Sequence, residues 1–201
     1  MIAVLDYGTG NLRSAERALL TTGAEVVVTS EFEVALEANG LVVPGVGAFG
    51  SCMAGLERVR GIELIRRRFE LERATLGICV GMQVLFSGSE ESPGVSGVSL
   101  FDGEISQLQA PVIPHMGWNQ VSAHPGSTLF RDIEEERFYF VHSYAMRSTS
   151  GIDSALCSTS RYGTTFVSAI EYRTVMATQF HPEKSGSAGL RLLRNWVDSL
   201  E

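Results

Sequence analysis

The 201 residues carry 16 Lys and Arg against 23 Asp and Glu, a net charge of −7 with an isoelectric point near 5.2. With no basic cluster beyond Arg66-Arg67-Arg68, this balance argues against nucleic acid as a partner, and the triplet reads as the solvated face of a helix. A composition 44% hydrophobic and 19% charged excludes a disordered chain, and no apolar run approaches the roughly 20 residues of a membrane span.

A chain of this length can bury a full core as a single domain, here 1–201, without disulfides or metal. Its three cysteines (Cys52, Cys79 and Cys157) are odd in number, widely spaced and free of any C-x-x-C pair. That pattern fits neither a disulfide framework nor a zinc site and suits a reducing compartment. Met1 to Asp6 is too short for a signal peptide and carries no basic lead, so a cytoplasmic location is expected.

In chain order, Ile2 to Leu5 is a short apolar strand, punctuated by Asp6-Tyr7-Gly8-Thr9-Gly10-Asn11. Leu12, Ala15, Leu19 and Thr22 recur at helical spacing, and Gly23 stops that helix. Val26 to Val28 predicts a second strand, Glu31 to Ala38 a short helix, and Leu41 to Val43 a third strand. A helix over Ile62 to Leu71 and a strand over Leu76 to Cys79 continue the series, with Val43 to Gly50 read as a glycine-rich turn. Continuously apolar strands alternating with helices predict an α/β fold, a mostly parallel sheet covered on both faces. Gly8-x-Gly10 lacks the third glycine of a dinucleotide loop, because Arg13 stands there. After the polar loop Ser87 to Gly97 the pattern turns to strands around Ile105, Val121, Phe138 to Val141, Ala155-Leu156, Phe166 to Ile170 and Val175 to Ala177. These predict an antiparallel portion, closed by a helix over Ser187 to Leu200.

The chemistry centres on Gly77-Ile78-Cys79-Val80-Gly81, the thiol version of a strand–turn–helix nucleophile elbow. The glycines allow a tight turn, and a helix running from the cysteine through Phe86 would set unpaired N–H groups beside the sulfur. His181 and Glu183 follow the last apolar strand in Gln179-Phe180-His181-Pro182-Glu183-Lys184. In an extended segment they would point the same way, and the carboxylate would fix and strengthen the imidazole as a base. The Val80 N–H and the backbone of Gly45, Val46 and Gly47 are candidates for an oxyanion hole. Of the other histidines, His124 sits in a turn, and His115 and His142 lie in ordered segments.

Pro44-Gly45-Val46-Gly47, the cysteine elbow and the His181-Pro182-Glu183 segment together resemble the triad-type, class I glutamine amidotransferases. Asp6 to Leu12, Pro114-His115-Met116-Gly117-Trp118-Asn119 and Tyr139 to Tyr144 are similar to one branch of these, the glutaminase subunits of imidazole glycerol phosphate synthases. The resemblance runs from Ile2 to Trp196, with Val80 where leucine is usual. It implies a flavodoxin-like three-layer fold with no metal or organic cofactor. It makes Cys79 the nucleophile, His181 the general base and acid, and Glu183 the orienting carboxylate. It sets Gln83, Glu91, Ser143 and Tyr144 around the amino-acid end of L-glutamine. It also implies a (β/α)₈-barrel cyclase as partner in a heterodimer, with ammonia channelled to it and histidine biosynthesis as the pathway. The docking face would include Asn11, Arg13, Met116, Trp118, Tyr139 and Lys184. The alternatives are an amidotransferase of another pathway, a stand-alone cysteine hydrolase of γ-glutamyl amides, and a binding subunit without chemistry.

Overall fold

The computed structural model describes residues 1–149, 152 and 154–200. The first half alternates as expected: β1 (Ile2–Leu5), α1 (Leu12–Leu20), β2 (Val26–Thr29), α2 (Phe32–Glu37) and β3 (Gly40–Gly45). Then come α3 (Phe49–Arg58), α4 (Gly61–Glu70), β4 (Ala74–Cys79) and α5 (Val80–Gln83). The second half is mostly strand: β5 (Gly88–Ser89), β6 (Glu104–Gln107), β7 (His115–Gln120), β8 (Arg137–His142) and β9 (Tyr144–Ala145). It ends with β10 (Leu156–Tyr162), β11 (Thr164–Tyr172), β12 (Val175–Thr178) and α6 (Gly186–Asp198).

The central sheet has seven strands in the order β10-β11-β12-β4-β3-β1-β2. The five from β12 to β2 run parallel, and β10 and β11 extend the edge as antiparallel strands. β1 and β3 are wholly buried, which is why they read as unbroken apolar runs rather than as an alternation. The chain steps from β1 to β2 in one direction and from β2 through β3 to β4 in the other. Right-handed crossovers then put α1 on one face and α2 to α4 on the opposite one. α1 packs with α6, while α2 and α3 pack with α4. β7 and β8 form a separate two-stranded ribbon, and β5, β6 and β9 a small third sheet.

Four expectations need correction. Phe49–Arg58 is a helix, although the sequence reading ended the glycine-rich turn at Gly50 and assigned nothing to the stretch before Ile62. α5 is a single turn rather than a helix through Phe86, so its dipole is correspondingly small. β7 stops at Gln120, one residue short of Val121. Arg68 is not on a solvated face: its side chain is fully buried among backbone carbonyls. No helix among the described residues is long and apolar enough to cross a membrane.

Candidate active site

β4 ends at Cys79, whose backbone is forced to φ 57°, ψ −112°, a conformation that side-chain-bearing residues rarely adopt. The strain is imposed by close packing on both sides. A Cβ on Gly81 would lie inside the Val43 carbonyl oxygen, so β3 and the elbow meet with only glycine between them. The register Gly45↔Cys79 brings the loop after β3 level with the elbow. In that loop Gly47 has φ +87°, and two carbonyls are fastened from behind. The Tyr7 hydroxyl donates to Pro44 O, and the Cys52 thiol donates to Val46 O at 3.5 Å. Burial pushes Tyr7 far above the usual phenol range, so it remains a donor.

His181 lies just past β12, which neighbours β4. Its Nδ1 is 2.8 Å from Glu183 Oε1, and the two side chains are 2% and 3% exposed. The pairing is not made along an extended strand, as the sequence suggested. Pro182–Lys184 is a 3-10 turn that folds the carboxylate back on the imidazole. Ser185 holds this turn, donating its hydroxyl to His181 O at 2.7 Å and accepting from Tyr139 N at 2.9 Å. Burial alone would lower His181, but hydrogen bonds to Cys79 and Glu183 and their negative charge prevail and push it up to about 9. With Nδ1 on Glu183, Nε2 is left for the sulfur.

Cys79 and His181 open on a cleft of about 260 Å³, which Val46, Gly47, Val80, Gln83, Glu91, Val141, His142, Ser143, Tyr144 and Lys184 also line. Every residue named from sequence for the substrate's amino-acid end therefore reaches one cavity. Gln83 spends its amide nitrogen internally, on Tyr144 O and on Gln179 Oε1, both at 3.0 Å. Glu91 Oε2 accepts the Phe49 N–H at 2.7 Å and so satisfies the start of α3, leaving Oε1 for a ligand. Glu90 instead accepts from Gln107 N and is absent from the cleft. No group of three or more His, Cys, Asp or Glu among the described residues could hold a metal ion.

The sequence matches the class I glutamine amidotransferase family over residues 3–200. It is 52% identical over 201 residues to the imidazole glycerol phosphate synthase subunit HisH of Mycolicibacterium paratuberculosis, covering 99% of this chain and 98% of that one. The chain belongs to the class I glutamine amidotransferases, on the HisH branch. The HisH subunit of Nocardia farcinica is likewise 52% identical, over 206 residues, again covering 99% and 98% of the two chains. The fold of this amidotransferase extends to distant structures. The PurLQS structure from Thermotoga maritima superposes with a TM-score of 0.75 at 17% identity, covering 100% of this chain and 98% of that one.

Of the residues assigned to a docking face, Met116 and Trp118 are 63% and 49% exposed on the outer face of β7. Trp118 meets Tyr139 edge to face, and Arg13 and Lys184 are exposed, Lys184 at the rim of the cleft. Asn11 is half-buried at the start of α1. Sequence reasoning passed over the Tyr7 and Cys52 braces, and also Gln179, whose Nε2 points at Cys79 Sγ from 3.8 Å. Gln179 is fully buried, and the only signal in the sequence was a polar residue within the apolar run before His181.

Proposed function

We propose that this chain is a glutaminase, the ammonia-producing subunit of an imidazole glycerol phosphate synthase. The observation that carries the reading is Cys79 on a strained elbow beside a buried His181–Glu183 pair. Its sulfur attacks the side-chain amide carbon of glutamine while His181 Nε2 holds the thiol proton. The tetrahedral oxygen is stabilised by the Val80 N–H and by N–H groups of the Gly45–Gly47 loop. His181 returns the proton to the departing nitrogen, and ammonia leaves a glutamyl thioester. A water gives its proton to His181, adds to the thioester, and releases glutamate and the Cys79 thiol. Glu183 holds the imidazole in the correct tautomer throughout. Glu91 receives the α-ammonium, while Ser143, Tyr144 and the framework amide of Gln83 shape the carboxylate end.

Ammonia passes to a cyclase of (β/α)₈-barrel form, which docks on the face containing Asn11, Arg13, Met116, Trp118, Tyr139 and Lys184. Together they yield imidazole glycerol phosphate and an aminoimidazole carboxamide ribotide in cytoplasmic histidine synthesis. An exposed indole and thioether side by side on a sheet ribbon support this docking face, since both are typical of interface centres. The test is glutamate release by the chain alone, with the cyclase, and with the cyclase plus its nucleotide ligand, using Cys79→Ala as blank. Weak release alone that rises steeply in the liganded complex is expected. Absence of Cys79-dependent release in that complex would overturn the reading.

A further inference from the structure

A hydrogen-bond chain that the mechanism does not use runs from the β7–β8 ribbon to His142 on the cleft wall and converges on Tyr144 O. His142 Nδ1 lies 2.9 Å from Tyr144 O, and a carbonyl can only accept, so Nδ1 carries the proton. His142 Nε2 is then an acceptor, supplied by His115 Nδ1 at 3.0 Å. His115 Nε2 accepts in turn from Asn119 Nδ2 at 3.3 Å, an amide also anchored on Arg161 O. The His115 ring is clamped between Tyr162 and Phe140, with centroids 4.1 and 4.8 Å away. This order of donors requires both rings neutral, and burial agrees, lowering His115 to about 4 and His142 to about 3.

The far end of the chain is the reacting centre. Tyr144 O accepts from both His142 and Gln83, which uses both its lone pairs. Gln83 continues to Gln179, and Gln179 to the Cys79 sulfur. We infer that His142, oriented by His115, is a positioning residue for the glutamine cleft, fixing the Tyr144 carbonyl and through it the Ser143–Tyr144 wall and the Gln83 amide. The inference rests on the glutaminase reading and adds a role for two histidines outside the triad. A leucine at 142 would fill space but leave Tyr144 O one donor short, and the wall would lose its fixed position. An asparagine would return an amide N–H close to where Nδ1 stands.

The test is steady-state glutamine hydrolysis by the full chain with its cyclase, per site titrated by alkylation of Cys79. His142→Leu should raise the glutamine KM about tenfold, the worth of one positioning hydrogen bond, with a smaller change in kcat. His142→Asn should recover most of that loss, and His115→Phe should fall between them. Long-range proton–nitrogen spectra of the histidine-labelled wild type should show His142 protonated on Nδ1 and His115 on Nδ1. A purely structural role would lower melting temperature and the titratable fraction while leaving KM, and kcat per titrated site, within about twofold. That result, or a proton on His142 Nε2, would overturn the inference while leaving the glutaminase reading intact. A wild type that hydrolyses no glutamine would overturn both.

Discussion

Replacing Arg68 by methionine tests how the parallel sheet is tied to its helices at the end remote from the chemistry. The guanidinium is fully buried, with Nη1 donating to the carbonyls of Ala35, Leu36 and Ala38 at 2.8 to 2.9 Å. Nη2 donates to Ala74 O at 2.6 Å, where β4 begins. The first three carbonyls end α2, where no further helical N–H exists to satisfy them and the helix dipole is negative. Burial lowers the guanidinium to about 10, with the Arg73 cation adding to the effect, and at neutral pH it remains charged. Methionine keeps the packed stem and removes every donor. Leu36 O retains Arg73 as a partner at 3.0 Å, so the principal losses fall on Ala35, Ala38 and Ala74. At about 1–3 kcal/mol for each orphaned buried carbonyl, less the recovered desolvation of the cation, the net cost is about 3–5 kcal/mol. That is a large share of the roughly 5–15 kcal/mol that holds a domain of this size. Urea unfolding followed by circular dichroism should show the midpoint falling accordingly, and Arg68→Lys should recover only part, since one ammonium cannot reach both α2 and β4. Below the transition the glutaminase should survive, because Cys79 lies at the opposite end of β4. A variant within about 1 kcal/mol of wild type would refute the argument.

Gly81→Ala should destabilise by about 3 kcal/mol and abolish glutamine hydrolysis, since its methyl group collides with the Val43 carbonyl; calorimetry and the coupled assay would read both. Glu183→Gln should lower kcat at least about 100-fold and lower His181 by the Glu183 share of its upward shift, leaving the share due to Cys79 in place. Because His181 is raised in the folded chain, the stability that Glu183 adds is fully present below pH of about 6.5 and is lost as pH rises through about 9. Urea melts of wild type and variant at pH 6 and pH 9.5 should therefore differ most at the lower value. Trp118→Glu should weaken cyclase binding by about 2 kcal/mol, read by titration calorimetry, without shifting the melting temperature, because the indole is half exposed in the free chain.

Which parts of this molecule could be read from its residues follows from where their information lies. Ile2 to Leu5 and Leu41 to Val43 declare themselves because strands buried on both faces need apolar side chains at every position. α3 was legible in principle: Phe49, Cys52, Met53 and Leu56 make a helical stripe, and all four are buried. Two glycines hid it. Gly55 is there because a Cβ would meet the Tyr7 carbonyl at 2.5 Å, a contact invisible until β1 and α3 are placed. The cap of α3 is also remote, supplied by Glu91 and Ser92 rather than by a neighbour in sequence. Arg68 differs from Arg66 and Arg67 only in which way the helix faces; its spacing of four from Leu64 and three from Ile65 puts it on their buried face, a mark that its charge hid.

The site itself shows the same division between local and non-local information. Gly77-x-Cys79-x-Gly81 encodes an elbow by local sterics, and His181-Pro182-Glu183 declares an imidazole–carboxylate pair, though it reads as extended where the structure makes a turn. Neither encodes the distance between them. That distance is set by the ladder of β12 on β4, with Thr178 beside Ile78, which brings the chain just past β12 level with the elbow. A one-residue slip in this register would carry His181 about 3.3 Å along the strand and turn every side chain of β12 to the other face. β12 has two buried residues at its end, Ala177 and Thr178, and Thr178 donates to the Phe180 carbonyl at 3.0 Å. The register is therefore pinned by packing, while the Thr178 hydrogen bond fixes the course of the chain between the strand end and the histidine. Three of the five segments lining the cleft, those after β3, β4 and β12, meet there because their strands are neighbours in a parallel sheet and end at the same height.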